Sequence, residues 1–134
     1  MVDARSILLV AGEADAVGMR QSLPVGWTVV SMATTAEAAE RLRLDEAKSA
    51  LPALVVLDYD LPDSSALLFL MYVKAKGSWR HLPVVLWTGV PDAQRMHEVG
   101  YFGAAAFLMR PRDPESFASA ARRLVAIADQ PPEH

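Results

Sequence analysis

Short, unbroken apolar runs alternate along this chain with longer stretches whose apolar residues recur at helical spacing. Five runs read as strands, over residues 7–10, 27–31, 54–57, 84–87 and 105–108. They are largely apolar throughout rather than alternating, the pattern of strands covered on both faces. Between them, spacing of three and four residues predicts helices. The first runs through Ala16, Met19 and Leu23, and the second extends to about Glu46. Thr34 with Glu37 three residues on forms a capping-box pattern at the start of that second helix. A long third helix is expected over 65–76 and a weaker fourth over 92–99. The last opens with Asp113-Pro114, a cap followed by proline at the first helical position, and carries Phe117, Ala121, Leu124 and Val125 on one face. Buried strands joined by helical crossovers predict an α/β fold, a parallel sheet with helices on both sides.

Composition narrows the function classes. A chain of 134 residues supplies one core, so a single domain is expected over 1–129 with a frayed tail over 130–134. No repeat, linker or low-complexity stretch suggests a second domain. Net charge is −3 and the Lys and Arg residues are scattered, which argues against a nucleic-acid partner. The absence of cysteine excludes disulfides, thiolate metal sites and thiol nucleophiles. No apolar run approaches the length of a membrane span or a signal-peptide core, so a cytoplasmic protein with no membrane partner is expected.

Candidate chemistry gathers at strand ends. Asp58 closes the run Ala53-Leu54-Val55-Val56-Leu57, Thr88 closes Val84-Val85-Leu86-Trp87, and Arg110 follows Ala106-Phe107-Leu108-Met109. A carboxylate, a hydroxyl and a cation thus fall at the carboxyl ends of three strands, where open α/β sheets place their sites. The first strand, Ile7-Leu8-Leu9-Val10, instead runs into Ala11-Gly12, which offer no polar side chain. His81, His97 and His134 lack ligand spacing and are assigned no chemistry.

Four segments in order carry a family resemblance: Ile7-Leu8-Leu9-Val10, then Val56-Leu57-Asp58-Tyr59-Asp60-Leu61-Pro62, then Pro83-Val84-Val85-Leu86-Trp87-Thr88-Gly89, then Gly103-Ala104-Ala105-Ala106-Phe107-Leu108-Met109-Arg110-Pro111. Over roughly residues 6–128 the chain resembles the response-regulator receiver domain of bacterial two-component signalling. That resemblance implies a flavodoxin-like three-layer sandwich with a five-stranded parallel sheet in order 2-1-3-4-5 and five helices. It also implies that Asp58 holds the phosphoacceptor position, that Thr88, Gly89 and Arg110 hold phosphoryl-contact positions, and that Phe107 holds the switch-aromatic position.

Two departures from the family pattern change the expected chemistry. Receivers carry a pair of carboxylates after the first strand that hold magnesium with the phosphoacceptor, and here those positions are Ala11 and Gly12. Magnesium needs well-placed hard oxygen donors, which a methyl group and a hydrogen cannot supply. Glu13 is expected to point away, and Asp60 is the remaining acid that can contribute. The second departure is Arg110, where receivers carry lysine. A guanidinium is a planar fork suited to a carboxylate rather than a point charge, so Arg110 is expected to pair with Asp58 and hold the site in one state.

The third helix carries a further signal, because Ala66-Leu67-Leu68-Phe69-Leu70-Met71-Tyr72-Val73 is apolar all round. Leu67, Leu70 and Val73 are expected to serve the core. That leaves Leu68, Met71 and Tyr72 as an exposed stripe and a possible interface. Met96, Tyr101 and Phe102 lie near the fourth helix–fifth strand–fifth helix face through which receivers commonly associate.

The leading expectation is a stand-alone, degenerate receiver that is no enzyme and acts without phosphorylation. It would work as a protein-interaction module with a sensor histidine kinase, another regulator or a second copy as partner, and without a cofactor. The alternative is a functional single-domain response regulator phosphorylated on Asp58 by a histidine kinase, which would require Mg2+. A nucleotide or flavin binder is disfavoured, since Ala11-Gly12-Glu13-Ala14-Asp15 is not a glycine-rich phosphate loop.

Overall fold

The computed structural model describes residues 5–90 and 92–130. Of the expected tail over 130–134, residues 131–134 lie outside the described residues. Five strands, β1 (Arg5–Val10), β2 (Trp27–Met32), β3 (Leu54–Asp58), β4 (Val84–Thr88) and β5 (Ala106–Met109), alternate with five helices. The helices are α1 (Glu13–Ser22), α2 (Thr35–Ala47), α3 (Ala66–Ala75), α4 (Ala93–Tyr101) and α5 (Pro114–Ala128). The strands form one all-parallel sheet in the order β2-β1-β3-β4-β5. This is the flavodoxin-like receiver fold that the motifs imply.

Side-chain alternation splits the apolar runs between two cores. Ile7, Leu9, Leu54, Val56, Val85 and Trp87 face α1 and α5, where they meet Ala16, Met19, Ala121 and Leu124. Leu8, Val10, Val55, Leu57, Val84 and Leu86 face α2, α3 and α4. The α1–α5 packing is close. A Cβ added at Gly18 would stand 2.4 Å from Cζ of Phe117, so the ring fills the space a side chain would need.

Helix starts follow their caps. Thr34 accepts from the Glu37 N–H at 3.1 Å and its hydroxyl donates to the Glu37 carboxylate at 3.0 Å. Asp113 and Ser116 form a reciprocal capping box at α5, with Pro114 in the first turn.

Helix α3 corrects one expectation. Its buried face is Ala66, Phe69, Leu70 and Val73, while Leu67 is only half-buried. The set i, i+3, i+4, i+7 is the inward stripe of a straight helix; it turns Phe69 fully inward, while Leu67 packs against the edge of the core. A single 3-10 turn, Gly77–Trp79, follows α3 and inserts a fully buried Trp79, whose indole N–H donates to Glu46 at 2.6 Å. Neither the turn nor the residue was legible as core. Among the described residues no helix is long and apolar enough to cross a membrane.

Candidate functional site at the carboxyl edge of the sheet

Parallel strands end together, so β3, β4 and β5 deliver Asp58, Thr88 and Arg110 to one edge. Asp58 pairs in register with Trp87, and Thr88 with Met109, the residue before Arg110. Asp58 is 8% exposed and Thr88 fully buried, the two buried polar or charged residues among those described. A polar group so placed must be satisfied by partners.

Arg110 supplies the partner for Asp58. Its Nη2 donates to Asp58 Oδ1 at 2.5 Å and to Asp60 Oδ2 at 3.2 Å. The same Asp58 oxygen accepts the Asp60 backbone N–H at 2.8 Å, which folds the β3–α3 loop over the strand end. The expected Arg110–Asp58 pair is therefore present in the structure.

Asp60 is drawn in further than an accessory acid would be. Its Oδ2 accepts from the Thr88 hydroxyl at 2.7 Å and from the Gly89 N–H at 3.1 Å, and its Oδ1 accepts from Arg95 at 3.2 Å. Burial pushes its carboxyl up, but the Thr88 hydroxyl, the Gly89 amide and the two guanidiniums outweigh it and hold it below the ordinary value. One carboxylate thus gathers the donors of β4, α4 and the β5 end.

Sequence reasoning missed two members of the cluster. Asp15 Oδ2 stands 3.8 Å from Arg110 Nε. Burial raises its carboxyl above the ordinary value, Arg110 opposes that, and Asp58 adds to it. Arg95 of α4 reaches Asp60, lies over the Tyr59 ring at 4.8 Å and donates to Thr88 Oγ1 at 3.3 Å. With them the site holds three carboxylates and two guanidiniums. Arg110 itself is held above its ordinary value: burial works against the charge, and the hydrogen bond and attraction from Asp58, then Asp15 and Asp60, prevail.

Strand β1 contributes no polar side chain to this edge. Ala11 is buried and its N–H donates to the Met32 carbonyl, while Gly12 is the exposed N-cap of α1. Glu13 is exposed and pairs with Arg20 at 3.3 Å, away from the cluster. Among the described residues no group of three or more His, Cys, Asp or Glu is arranged to hold a metal ion. The acids that do converge, Asp15, Asp58 and Asp60, surround the Arg110 guanidinium, and Arg95 also pairs with Asp60.

The remaining candidates divide by location. Phe107 is half-buried and stacks on Tyr59 with ring centroids 5.8 Å apart. Leu68, Met71 and Tyr72 are exposed, Leu68 at 69%. Met96 and Tyr101 are exposed as well, Tyr101 at 78%. Phe102 is not: it is half-buried against the α2–α3–α4 core, with Tyr101 standing edge-on at 5.1 Å.

No protein-family model matches the sequence, and no curated protein matches it. Solved structures do. A response-regulator receiver domain from Rhodospirillum rubrum is 26% identical, with 96% of this chain and 97% of that one covered and a TM-score of 0.72. A response regulator from Thermotoga maritima aligns at a TM-score of 0.79 and 15% identity, covering 95% of this chain and 99% of that one. The Mn2+-bound form of the response regulator Rcp1 aligns at a TM-score of 0.75 and 16% identity, covering 97% and 99%. From β1 to α5 this chain has the fold of the response-regulator receiver domain.

Proposed function

We propose that this chain is a degenerate receiver that works in signal transduction through protein contacts, without phosphorylation of Asp58 and without catalysis. The observation that carries the reading is the double engagement of Arg110 with Asp58 and Asp60. Phosphoryl transfer to a carboxylate needs a cation to neutralise developing charge and donors for the incoming oxygens. Asp58 Oδ1 is held by Arg110 and by the Asp60 amide. The Thr88 hydroxyl and Gly89 N–H are given to Asp60. The cationic position among the acids is filled by a side chain that is charged at every accessible pH.

Magnesium does not fit this donor set. Ala11 and Gly12 carry no side-chain oxygen, and the carboxylates of Asp58 and Asp60 are oriented by guanidinium and amide hydrogens. The partner would be a sensor histidine kinase or another regulator, reading shape rather than a phosphoryl charge.

Incubating the whole chain with acetyl phosphate and Mg2+ and measuring intact mass tests the reading. An unchanged mass is expected. Stoichiometric labelling, lost in Asp58→Asn, would overturn it and establish a phosphorylated response regulator, the alternative that the strand-end placement of Asp58 and Thr88 favours.

A further inference from the structure

The donors around Asp60 come from separate parts of the fold and meet at one side chain. Its Oδ2 accepts the Thr88 hydroxyl, the Gly89 N–H and, at 3.2 Å, Arg110 Nη2, while its Oδ1 accepts Arg95 Nη1. Thr88 ends β4, Gly89 follows it, Arg110 follows β5, and Arg95 lies in the first turn of α4. A hydroxyl, a main-chain amide and two guanidiniums aimed at one place make a cradle for a small anion.

The cradle is aimed before anything fills it. The Thr88 hydroxyl already accepts from the Val90 N–H at 3.2 Å and from Arg95 at 3.3 Å, so both acceptor sites are taken and its one proton points at Asp60. Thr88 is fully buried, which leaves that proton no path to water on the protein side. Arg110 is steadied from behind by Asp58 and Asp15. If Asp60 were absent, the cluster would keep Asp15 and Asp58 against Arg95 and Arg110, and the Thr88 proton would face no acceptor.

The occupant is a loop residue whose backbone is pinned on both sides. The Tyr59 N–H donates to the Trp87 carbonyl at 2.8 Å, the Asp60 N–H donates to Asp58 Oδ1 at 2.8 Å, and Leu61 is buried. So held, the carboxylate enters the cradle with little ordering left to lose, and as part of the same chain it competes at high effective concentration. The Asp60 side chain is 33% exposed, so the place it fills opens to solvent.

We propose that Asp60 is a tethered ligand: its carboxylate fills an oxyanion site built by Thr88, Gly89, Arg95 and Arg110, keeps those donors engaged at all times, and shuts out a free tetrahedral oxyanion of the phosphate or sulfate kind. Asp58, which accepts both the Asp60 amide and Arg110, is a positioning residue for that ligand. The inference rests on the reading that Asp58 is not phosphorylated, and the two fail separately. Inorganic phosphate does not phosphorylate a carboxylate, so its binding is measured without any labelling of Asp58.

Titration of the whole chain with inorganic phosphate, at ionic strength held constant with chloride, tests it through Tm and the amide NMR signal of Gly89. Wild type is expected to show no saturable response. Asp60→Ala is expected to lower Tm, to regain part of it as phosphate saturates, and to shift the Gly89 signal. Its phosphate affinity should exceed that of wild type by about tenfold or more, since the tethered competitor is gone. Adding Thr88→Val to Asp60→Ala should weaken that binding. Asp60→Ser vacates the same space and serves as a second variant, with circular dichroism confirming that each chain is folded. Wild type that binds phosphate as tightly as the Asp60 variants, folded Asp60 variants that bind none, or binding indifferent to Thr88→Val overturns the proposal.

Discussion

Arg110 passes over Gly89 so closely that a Cβ on Gly89 would meet its Nη1 at 2.9 Å. The absence of a side chain at 89 is what lets the guanidinium reach across β4 to Asp58. Gly89→Ala is therefore expected to displace Arg110 and loosen the pair, costing about 1 kcal/mol of stability as a mild overpacking. Urea unfolding with Trp fluorescence measures it. An unchanged midpoint would show that the guanidinium does not need this path.

Removing the cation altogether should cost more. Arg110→Ala leaves Asp58, 8% exposed, without its charge partner. Breaking a buried pair from one side costs about 3–5 kcal/mol. Arg110 is 28% exposed, so water takes up part of that, and about 2–3 kcal/mol is expected. Asp58→Asn combined with Arg110→Ala should recover part of the loss, because no charge is then stranded. Additive losses in the double variant would mean the two residues act independently.

Thr88→Val keeps the shape of a buried strand end but removes the hydroxyl that donates to Asp60 and accepts the Val90 N–H. A loss of about 1–2 kcal/mol is expected from the polar groups left without a partner. The crystal structure of the variant should show Asp60 released from β4.

The two acids respond oppositely to pH. Asp60 sits below its ordinary value of 3.8, so its contribution is present above that value and is lost as pH falls through the lower folded one. Asp15 sits above 3.8, so its ionised form is disfavoured by folding: the penalty is absent below 3.8 and complete once pH exceeds the raised folded value. Asp15→Asn is expected to raise Tm at neutral pH, with the gain vanishing as pH falls toward the unfolded carboxylate value. A gain that persists in acid would place its cause elsewhere than this charge.

Why Asp58 and Thr88 were legible while Asp15 and Arg95 were not has a geometric reason. Strand-end residues are marked by the apolar runs they close. Asp15 and Arg95 are each the third helical residue, after the caps Gly12 and Asp92, on helices that open above the carboxyl edge of the sheet. In α1 and α4 the first turn overhangs the strand ends and the third residue reaches the site. The same position in α2, α3 and α5 holds Glu37, Leu68 and Ser116, which serve caps or face outward, so position alone does not mark a site residue. Trp79 escaped for another reason: a three-residue 3-10 turn has no periodicity to mark it. The inward turn of Phe69 depended on the helix phase, which a run apolar on all sides does not reveal.

The bare end of β1 gives a last test of what excludes a divalent cation. Gly12 has φ −68° and ψ 158°, makes no side-chain cap, and a Cβ there would meet nothing within 4 Å. Aspartate is at ease in that conformation and caps helices better than glycine by a few tenths of a kcal/mol. Gly12→Asp is therefore expected to stabilise the fold slightly, by about 0.3 kcal/mol. It should not confer magnesium binding while the Arg110 guanidinium occupies the space among the acids. Added to Arg110→Ala, it leaves Asp15, Asp58, Asp60 and the new carboxylate without that cation, and a magnesium-dependent rise in Tm should appear. Magnesium binding by Gly12→Asp alone would show that the missing acid, rather than the resident guanidinium, keeps the ion out.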